Sequence, residues 1–213
     1  MSHVFLEMTM TLDGFTAAPG VSIEHPLGIG GERVHHWIRG DDDGPGADGL
    51  GPEGAADPTP DEIDLSVAAR MFDTTGAFVI GRRTFDVGEG PWGDAEAFEG
   101  RPVFVVTSRG REPVERSGSR FEFVTGGVVA AIARASEAAH AASVCIMGGA
   151  DVARQALTAG LVDEVRLHLV PVVLGGGSRL FPEATGRRIE LDLVGAEQGA
   201  LAMHLRYRVE RGA

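Results

Sequence analysis

Cysteine is almost absent from this 213-residue chain: Cys145 is the single thiol, so an internal disulfide is excluded. It lies in the apolar run 144–147, where a free cysteine usually packs as a small hydrophobic side chain rather than acting as a nucleophile. Residues 1–14 contain neither a basic segment nor a small-residue cleavage site, so we do not expect a signal peptide. These features are typical of a cytoplasmic protein, which is what we expect.

Basic residues are also scarce. There are 19 Lys and Arg residues against 31 Asp and Glu, which gives a net charge of −12 at pH 7, and no basic cluster stands out. This balance argues against nucleic acid or an anionic membrane as a partner. No apolar run approaches the roughly 20 residues that a membrane-spanning helix needs. A hydrophobic content of 43% can still bury a core, so we predict one domain over residues 1–213.

One segment of the chain has a different composition. Residues 40–58 are rich in glycine and aspartate and offer almost nothing to a core, so we predict a surface loop inserted into the domain. A short ordered piece is predicted just before it, at residues 34–38. After the loop, Thr59, Pro60 and Glu62 have the pattern of an N-cap, a first helical position and a capping-box acid, which predicts a helix start.

Apolar runs and helical spacing alternate along the rest of the chain. Strands are predicted at residues 4–11, 77–81, 101–108, 121–125, 144–147 and 165–174, and helices at residues 59–75, 128–142 and 151–160. Pro171 implies a bulge or an edge in the sixth strand. Residues 189–197 and 202–210 alternate apolar and polar side chains, which is typical of an antiparallel hairpin. We therefore predict an α/β fold, with a mostly parallel sheet and an antiparallel C-terminal edge.

A pair of glycines follows the buried strand 144–147. Gly148 and Gly149 have no side chains, so a phosphate group can approach the backbone there, and the positive end of the next helix would face it. Strand, glycine pair and helix start are therefore the geometry of a dinucleotide site. An ordinary turn that uses glycine for packing is the alternative, which this motif alone leaves open.

Several stretches occur in an informative order: MTMTLDGF (8–15), VIGRRTF (79–85), VFVVTSR (103–109), IMGGADVARQAL (146–157) and LVDEVRLHLVPVVLGGGSRLF (161–181). In this order they resemble the dihydrofolate reductase fold, and more closely the riboflavin-pathway pyrimidine reductase domain family. The resemblance implies a dihydrofolate reductase-like domain that binds NADPH across the sheet. It also implies hydride transfer to a C=N or similar bond of a small heterocycle.

The resemblance also implies which residues bind the cofactor. By position these are Gly81, Arg82 and Thr84 at the phosphates, Thr107, Ser108 and Arg109 at the adenosine 2′-phosphate, Met147, Gly148, Gly149, Ala150, Asp151 and Val152 around the pyrophosphate, and Gly14, Phe15 and Gly177 in the loops at the nicotinamide. Hydroxyls and a guanidinium are the groups that a 2′-phosphate needs, although an ordinary polar turn is the alternative for residues 107–109. Because strand residues alternate faces, we expect only one of Arg82 and Arg83 to reach the cofactor.

Three side chains are candidates for the substrate end. The resemblance places Asp64 near a carboxylate that binds an aminopyrimidine and helps to place a proton, and Asp13 at the edge of the nicotinamide. Favourable charge at a helix start and ordinary Asp-Gly turn chemistry are the respective alternatives. Trp37 could stack on a flat ring, with simple loop packing as the alternative. His35 and His36 lack the spacing of a zinc site, so we expect no metal.

The sequence departs from the family in two ways. The deaminase signature, H-x-E paired with P-C-x-x-C, is absent, and no basic cluster is evident that would hold a ribose 5-phosphate. We therefore predict an NADPH-dependent reductase of an unidentified small heterocycle. Dihydrofolate or riboflavin-pyrimidine reduction is one alternative, and a non-catalytic NADPH-binding module is another. By analogy with relatives we expect a homodimer, for which the apolar strand 165–174 could supply an edge.

Overall fold

The computed structural model describes residues 2–39, 59–92, 97–116, 118–181 and 188–210. The loop predicted at residues 40–58 lies outside these described parts of the chain.

Eleven strands and five helices are present in the described residues. The strands are β1 (Val4–Thr11), β2 (Phe15–Ala17), β3 (Thr75–Gly81), β4 (Val103–Val106), β5 (Val114–Arg116), β6 (Ser119–Val124), β7 (Ser143–Ile146), β8 (Glu164–Val170), β9 (Ser178–Arg179), β10 (Leu191–Gln198) and β11 (Met203–Val209). The helices are α1 (His36–Arg39), α2 (Glu62–Asp73), α3 (Arg82–Trp92), α4 (Gly127–Ala139) and α5 (Ala150–Thr158). A 3-10 turn, Glu32–His35, leads into α1.

Nine of these strands form one sheet, in the order β10-β11-β8-β1-β7-β3-β4-β6-β5. The six strands from β8 to β6 are parallel. The hairpin β10–β11 adds an antiparallel edge on one side, and β5 adds a second on the other. The predicted α/β sheet with an antiparallel C-terminal edge is thus confirmed, while β5 and the small β2–β9 sheet were not predicted.

The sheet is buried on both faces because its central strands carry apolar side chains in both directions. On one face, Leu6 and Ile146 belong to a core with the apolar sides of α4 and α5. On the other face, Phe5 and Phe78 belong to an aromatic core with Phe85 of α3. Side chains along β1 alternate between the two cores, as the twofold repeat of a strand requires. The face that carries Phe5 also carries Glu7 and Thr9, and it is the face of the candidate site.

Helix α2 begins at a different residue from the one predicted. Its N-cap is Asp61, whose Oδ1 accepts from the backbone N–H groups of Ile63 (3.0 Å) and Asp64 (2.9 Å). The Asp64 carboxylate in turn accepts from the Asp61 N–H at 3.3 Å, which completes the capping box. The predicted cap at Thr59 is therefore wrong by two residues, because an aspartate with two backbone donors in reach is also a favoured cap.

Two further expectations are corrected. Residues 82–92, for which no helix was predicted, form α3, although Gly88, Gly90 and Pro91 disfavour a helix. Packing compensates: the Phe85 ring lies edge-on to the Phe123 ring, with centroids 5.1 Å apart. Strand β8 ends before Pro171 and is paired on both sides, with β1 and β11. The proposed dimer edge at residues 165–174 is therefore wrong.

Candidate functional site

A cavity of about 1760 Å³ lies along the edge of the sheet where β3, β4 and β7 end. Its wall contains the residues that follow these strands, including Gly81, Thr107 and Gly148. Ligands of open α/β sheets bind at the carboxyl ends of parallel strands, so this is the expected place for a site. The cavity extends from these turns to Trp37 and His168 on the far side of β1.

The two glycine turns at this edge are in direct contact. The Gly81 N–H donates to the Gly148 carbonyl at 2.9 Å, and the peptide bond between Gly148 and Gly149 is cis. A Cβ on Gly148 or Gly149 would lie 3.2–3.4 Å from the side chain of Thr84. Gly148 also has φ +86°, which favours glycine. Since α5 begins at Ala150, the exposed backbone of this turn is next to the positive end of a helix.

The turn after β4 adds hydroxyls and positive charge. Thr107 Oγ1 accepts from the Arg109 N–H at 3.1 Å, which holds the turn in shape, while Ser108 and Arg109 are exposed at the cavity. Arg82, Arg83 and Arg154 also line this end. Arg82 and Arg83 both line the cavity because they lie in the first turn of α3. We expected only one of them to reach the cofactor because strand residues alternate faces, but these two residues are not in a strand.

The structure therefore brings together most of the predicted cofactor residues. Those that line the cavity are Gly81, Arg82, Thr84, Thr107, Ser108, Arg109, Met147, Gly148, Gly149, Ala150, Asp151 and Val152. Gly14, Phe15 and Gly177 are not among the lining residues. Gly177 instead packs against the backbone of β2, since a Cβ there would lie 2.0 Å from the Ala17 carbonyl oxygen. Its neighbours Ser178 and Arg179 do reach the cavity wall.

Asp13 is not in the cavity wall, in contrast to our hypothesis. Its carboxylate accepts from Thr11 Oγ1 at 2.7 Å and from the backbone N–H groups of Leu174 (3.2 Å) and Gly175 (2.7 Å). These bonds, that from Thr11 first, lower the pKa of Asp13, which makes it a poor proton donor. The side chain ties the turn after β1 to the loop after β8, and a catalytic role for Asp13 stays a prediction.

Asp64 is also removed from direct contact with a substrate. It is fully buried and does not line the cavity. Its Oδ2 accepts from the Leu201 N–H at 3.0 Å, and its Oδ1 lies 2.9 Å from His204 Nε2. The turn at Gly199 covers it so closely that a Cβ there would lie 2.1 Å from Oδ1. The structure therefore directs this carboxylate to protein groups instead of the cavity, and its substrate-binding role stays a prediction.

Trp37 does line the cavity, but most of its ring is packed. The indole N–H donates to Thr9 Oγ1 at 3.0 Å. The ring lies against the imidazole of His168, with centroids 4.1 Å apart and an angle of 34° between the planes. Both alternatives weighed for Trp37 therefore have a basis, since it packs within the structure and also forms part of the wall.

The sequence analysis missed a buried polar chain beside Trp37. Glu7 Oε1 lies 2.7 Å from His168 Nε2, His168 Nδ1 lies 2.8 Å from His204 Nδ1, and His204 Nε2 contacts Asp64. Glu7 and His168 line the cavity, although only 6% and 3% of their surfaces are exposed. Burial and the neighbouring His168 lower the pKa of His204. A detectable signal was present, because Glu7 and His168 are ionisable residues that each lie between two apolar residues in a strand.

The described residues include neither a cluster of metal ligands nor a membrane-spanning helix. No group of three or more His, Cys, Asp or Glu side chains among them is arranged to hold a metal ion. None of the helices in the described ranges is long and apolar enough to cross a membrane.

The sheet order and the site at its carboxyl edge define a mixed α/β, dihydrofolate reductase-like fold. The family model described as the RibD C-terminal domain matches residues 2–205, so the chain belongs to that family. The resemblance found in the sequence is thus confirmed. No curated protein matches the chain significantly.

Solved structures give the same fold. A protein assigned to riboflavin biosynthesis from Shewanella sp. PV-4 aligns with a TM-score of 0.68 and 19% identity, over 99% of this chain and 100% of that one. A pyrimidine reductase-like protein from Corynebacterium diphtheriae aligns with a TM-score of 0.60 and 14% identity, over 99% and 93%. A diaminohydroxyphosphoribosylaminopyrimidine deaminase/5-amino-6-(5-phosphoribosylamino)uracil reductase from Thermotoga maritima aligns with a TM-score of 0.61 and 15% identity, over 98% of this chain and 56% of that one.

Proposed function

We propose that this protein is an NADPH-dependent reductase of a small nitrogen heterocycle. The observation that carries the proposal is one continuous cavity with two different ends. One end has the glycine turns of β3 and β7 beside a turn of hydroxyls and arginine, and the other has buried acid and imidazole groups. A dinucleotide fits the first end, and the reacting part of a substrate fits the second.

The first end suits the phosphates of the cofactor. At Gly148 and Gly149 the backbone can be approached closely, and the start of α5 contributes a favourable field for a pyrophosphate. Thr107, Ser108 and Arg109 would hold the 2′-phosphate, since a guanidinium and hydroxyls pair well with its oxygens. The volume also fits, because single small-molecule sites span about 300–1,000 Å³ and this cavity is larger.

The second end suits a planar ring. Trp37 lines it with apolar surface, whereas Glu7, Thr9 and His168 supply hydrogen-bonding groups. When bound, the nicotinamide supplies a hydride to the electrophilic carbon of the substrate. The residues of the protein would orient the ring, exclude water from the reacting carbon and provide the proton that completes the reduction.

The cofactor preference provides the first test. We expect NADPH to bind at micromolar concentration and NADH at least tenfold more weakly, followed by nicotinamide fluorescence. Arg109→Ala should remove most of this preference because it takes away the guanidinium at the cavity. Arg111→Ala is the matched control: Arg111 is in the same segment but lies over the rings of Phe85 and Phe123, outside the cavity wall. Equal binding of both nucleotides, or equal loss in both variants, would contradict the assignment of the 2′-phosphate.

Family membership favours one particular substrate class, the ribosylaminopyrimidines of the kind named for the Thermotoga neighbour. Incubation of the protein and NADPH with 5-amino-6-(5-phosphoribosylamino)uracil, and separately with 7,8-dihydrofolate, would distinguish the two reductase alternatives by NADPH oxidation at 340 nm. Tight NADPH binding without oxidation on any heterocycle would instead indicate the non-catalytic binding module.

A further inference from the structure

The buried chain Glu7–His168–His204–Asp64 has an unusual proton requirement. Its four side chains meet in three contacts of 2.7, 2.8 and 2.9 Å, each short enough to be a hydrogen bond. Every one of these contacts needs one proton between its two heavy atoms. Two neutral imidazoles carry one N–H each and ionised carboxylates carry none. With neutral imidazoles and ionised carboxylates, the four side chains would hold two protons, but the three contacts need three. The buried chain of side chains therefore holds one extra proton.

The contacts at the Asp64 end decide where this extra proton lies. The Asp64 carboxylate accepts from two backbone N–H groups, those of Asp61 and Leu201, so it acts as an acceptor and the His204 Nε2–H donates to it. His204 is deep in the structure and its pKa is lowered by burial, so a positive charge on that ring is disfavoured. The extra proton therefore belongs at the other end, between His168 Nε2 and Glu7 Oε1.

This other end is the part of the chain that lines the cavity. We propose that the Glu7–His168 pair is the acid that donates a proton to the substrate, with His204 and Asp64 as positioning residues behind it. The proposal rests on the proposed reductase function. It assigns the proton to residues on β1 and β8 instead of Asp13 or Asp64.

In the proposed reduction, a C–H bond of the reduced nicotinamide would break, and its hydride would bring two electrons to the carbon of the substrate C=N or C=O bond. The nicotinamide would be oxidised, the π bond of the substrate would break and a new C–H bond would form. The N–H bond at His168, or the O–H bond if the proton is on Glu7, breaks, and a new N–H or O–H bond forms on the adjacent substrate atom. The pair is then one proton short and regains it from water that enters the open cavity.

Charges around the pair are compatible with this role. Arg166 Nη1 lies 3.5 Å from Glu7 Oε2, and Arg166 Nε donates to Glu164 Oε1 at 2.6 Å. Arg166 therefore partly balances the negative charge of Glu7. Its guanidinium lies 3.8 Å from the centre of the Phe5 ring. Cys145 on β7 is coupled electrostatically to Glu7, and burial raises the pKa of its thiol well above the ordinary value, so it stays neutral. The pKa of His204, which burial lowers, is partly raised by the negative charge of Glu197 on β10.

The Glu7→Gln variant tests whether Glu7 acts as an acid or only as a structural hydrogen-bonding group. The glutamine amide has the same shape and can donate an N–H to His168 Nε2, so it preserves the contact. It cannot supply a dissociable proton, and His168 Nε2 becomes the acceptor of the amide N–H. Glu164→Gln is the matched control, because it removes a carboxylate from the same Arg166 but lies outside the cavity wall.

The first experiment uses the apoprotein and needs neither cofactor nor substrate. Nitrogen-15 NMR of labelled histidines, with carbon-13 NMR of the Glu7 carboxyl group, reports which atoms carry protons at pH 7. A proton on His168 Nε2 or on Glu7, lost in Glu7→Gln and retained in Glu164→Gln, supports the proposal. An unprotonated His168 Nε2 facing an ionised Glu7 in the wild-type protein would overturn it, whether or not NADPH binds.

The second experiment measures turnover on whichever of the two heterocycles named above is reduced. Loss of general acid catalysis typically costs about 10²–10⁴-fold. We expect Glu7→Gln to lower kcat about 100-fold with little change in KM or NADPH affinity, and to abolish the fall of kcat at high pH. Near-normal kcat in Glu7→Gln refutes the acid role. Failure of the wild-type protein to bind NADPH would refute the reductase function instead, while leaving the apoprotein proton measurement intact.

Discussion

The two ends of the cavity are built in different ways. The phosphate end consists of backbone turns at Gly81, Gly148 and Thr107, each formed by residues that are close in sequence. The imidazole end consists of Glu7 on β1 and His168 on β8, which are backed by His204 on β11 and Asp64 on α2. Glu7 and His168 are 161 positions apart in sequence. The phosphate end therefore depends on local conformation, whereas the other depends on the register of the whole sheet. Substitutions at the phosphate end should therefore change nucleotide affinity, whereas substitutions at the imidazole end should change stability.

The largest effect is expected at Asp64. In Asp64→Ala, His204 and the N–H groups of Asp61 and Leu201 lose their acceptor in a fully buried place. Each buried donor left without its acceptor costs about 1–3 kcal/mol. We expect a loss of about 3 kcal/mol of unfolding free energy, measured from the urea midpoint at constant slope.

Glu62→Ala is the control for that substitution, because Glu62 is an exposed acid in the same first turn of α2. It should change stability by less than about 0.5 kcal/mol. Equal losses in the two variants would mean that the charge at the helix start matters and the buried contacts of Asp64 do not.

The contrast between the ends also explains what the sequence could predict. The turns at Gly148 and Thr107 have local signals, so these turns were predicted as parts of a site, and they do line one cavity. For Asp64 the helix was predicted, but nothing local indicated that the turn at Gly199 would cover its carboxylate. Glu7 and His168 meet only because β1 and β8 pair in one particular register. That register is a property of the whole sheet and was not available from either strand alone.

The second prediction tests the phosphate end by its binding. Gly148 and Gly160 both have positive φ, +86° and +69°, so replacing either by alanine imposes a similar backbone strain of about 1–2 kcal/mol. Only at Gly148 would the new Cβ lie in the cavity wall, 3.3 Å from Thr84 Cγ2, whereas at Gly160 it meets nothing within 4 Å. Fluorescence titration should show at least a tenfold loss of NADPH affinity in Gly148→Ala, with Gly160→Ala unchanged. Similar affinities in both would mean that the glycine turn serves packing alone.

The smallest predicted effect is on how the unfolding free energy depends on pH, and it should arise only from the imidazole end. The pKa of His204 is lowered in the folded state from the ordinary value of 6.5, first by burial and then by His168. As pH falls below 6.5, the unfolded chain gains a proton on this residue that the folded protein does not yet accept. The unfolding free energy should therefore decrease between pH 6.5 and 5.5, by up to the slope of one proton.

His204→Gln isolates this contribution, because glutamine does not titrate, and its stability should depend less on pH over that interval. His25→Gln, at an exposed histidine, should keep the wild-type slope. Urea midpoints at half-unit steps of pH provide the measurement. If His204→Gln instead kept the wild-type slope, the folded protein would protonate His204 as readily as the unfolded chain does, and the extra proton would not be confined to the Glu7–His168 contact. The pH series therefore tests the placement of that proton by a route independent of NMR and of turnover.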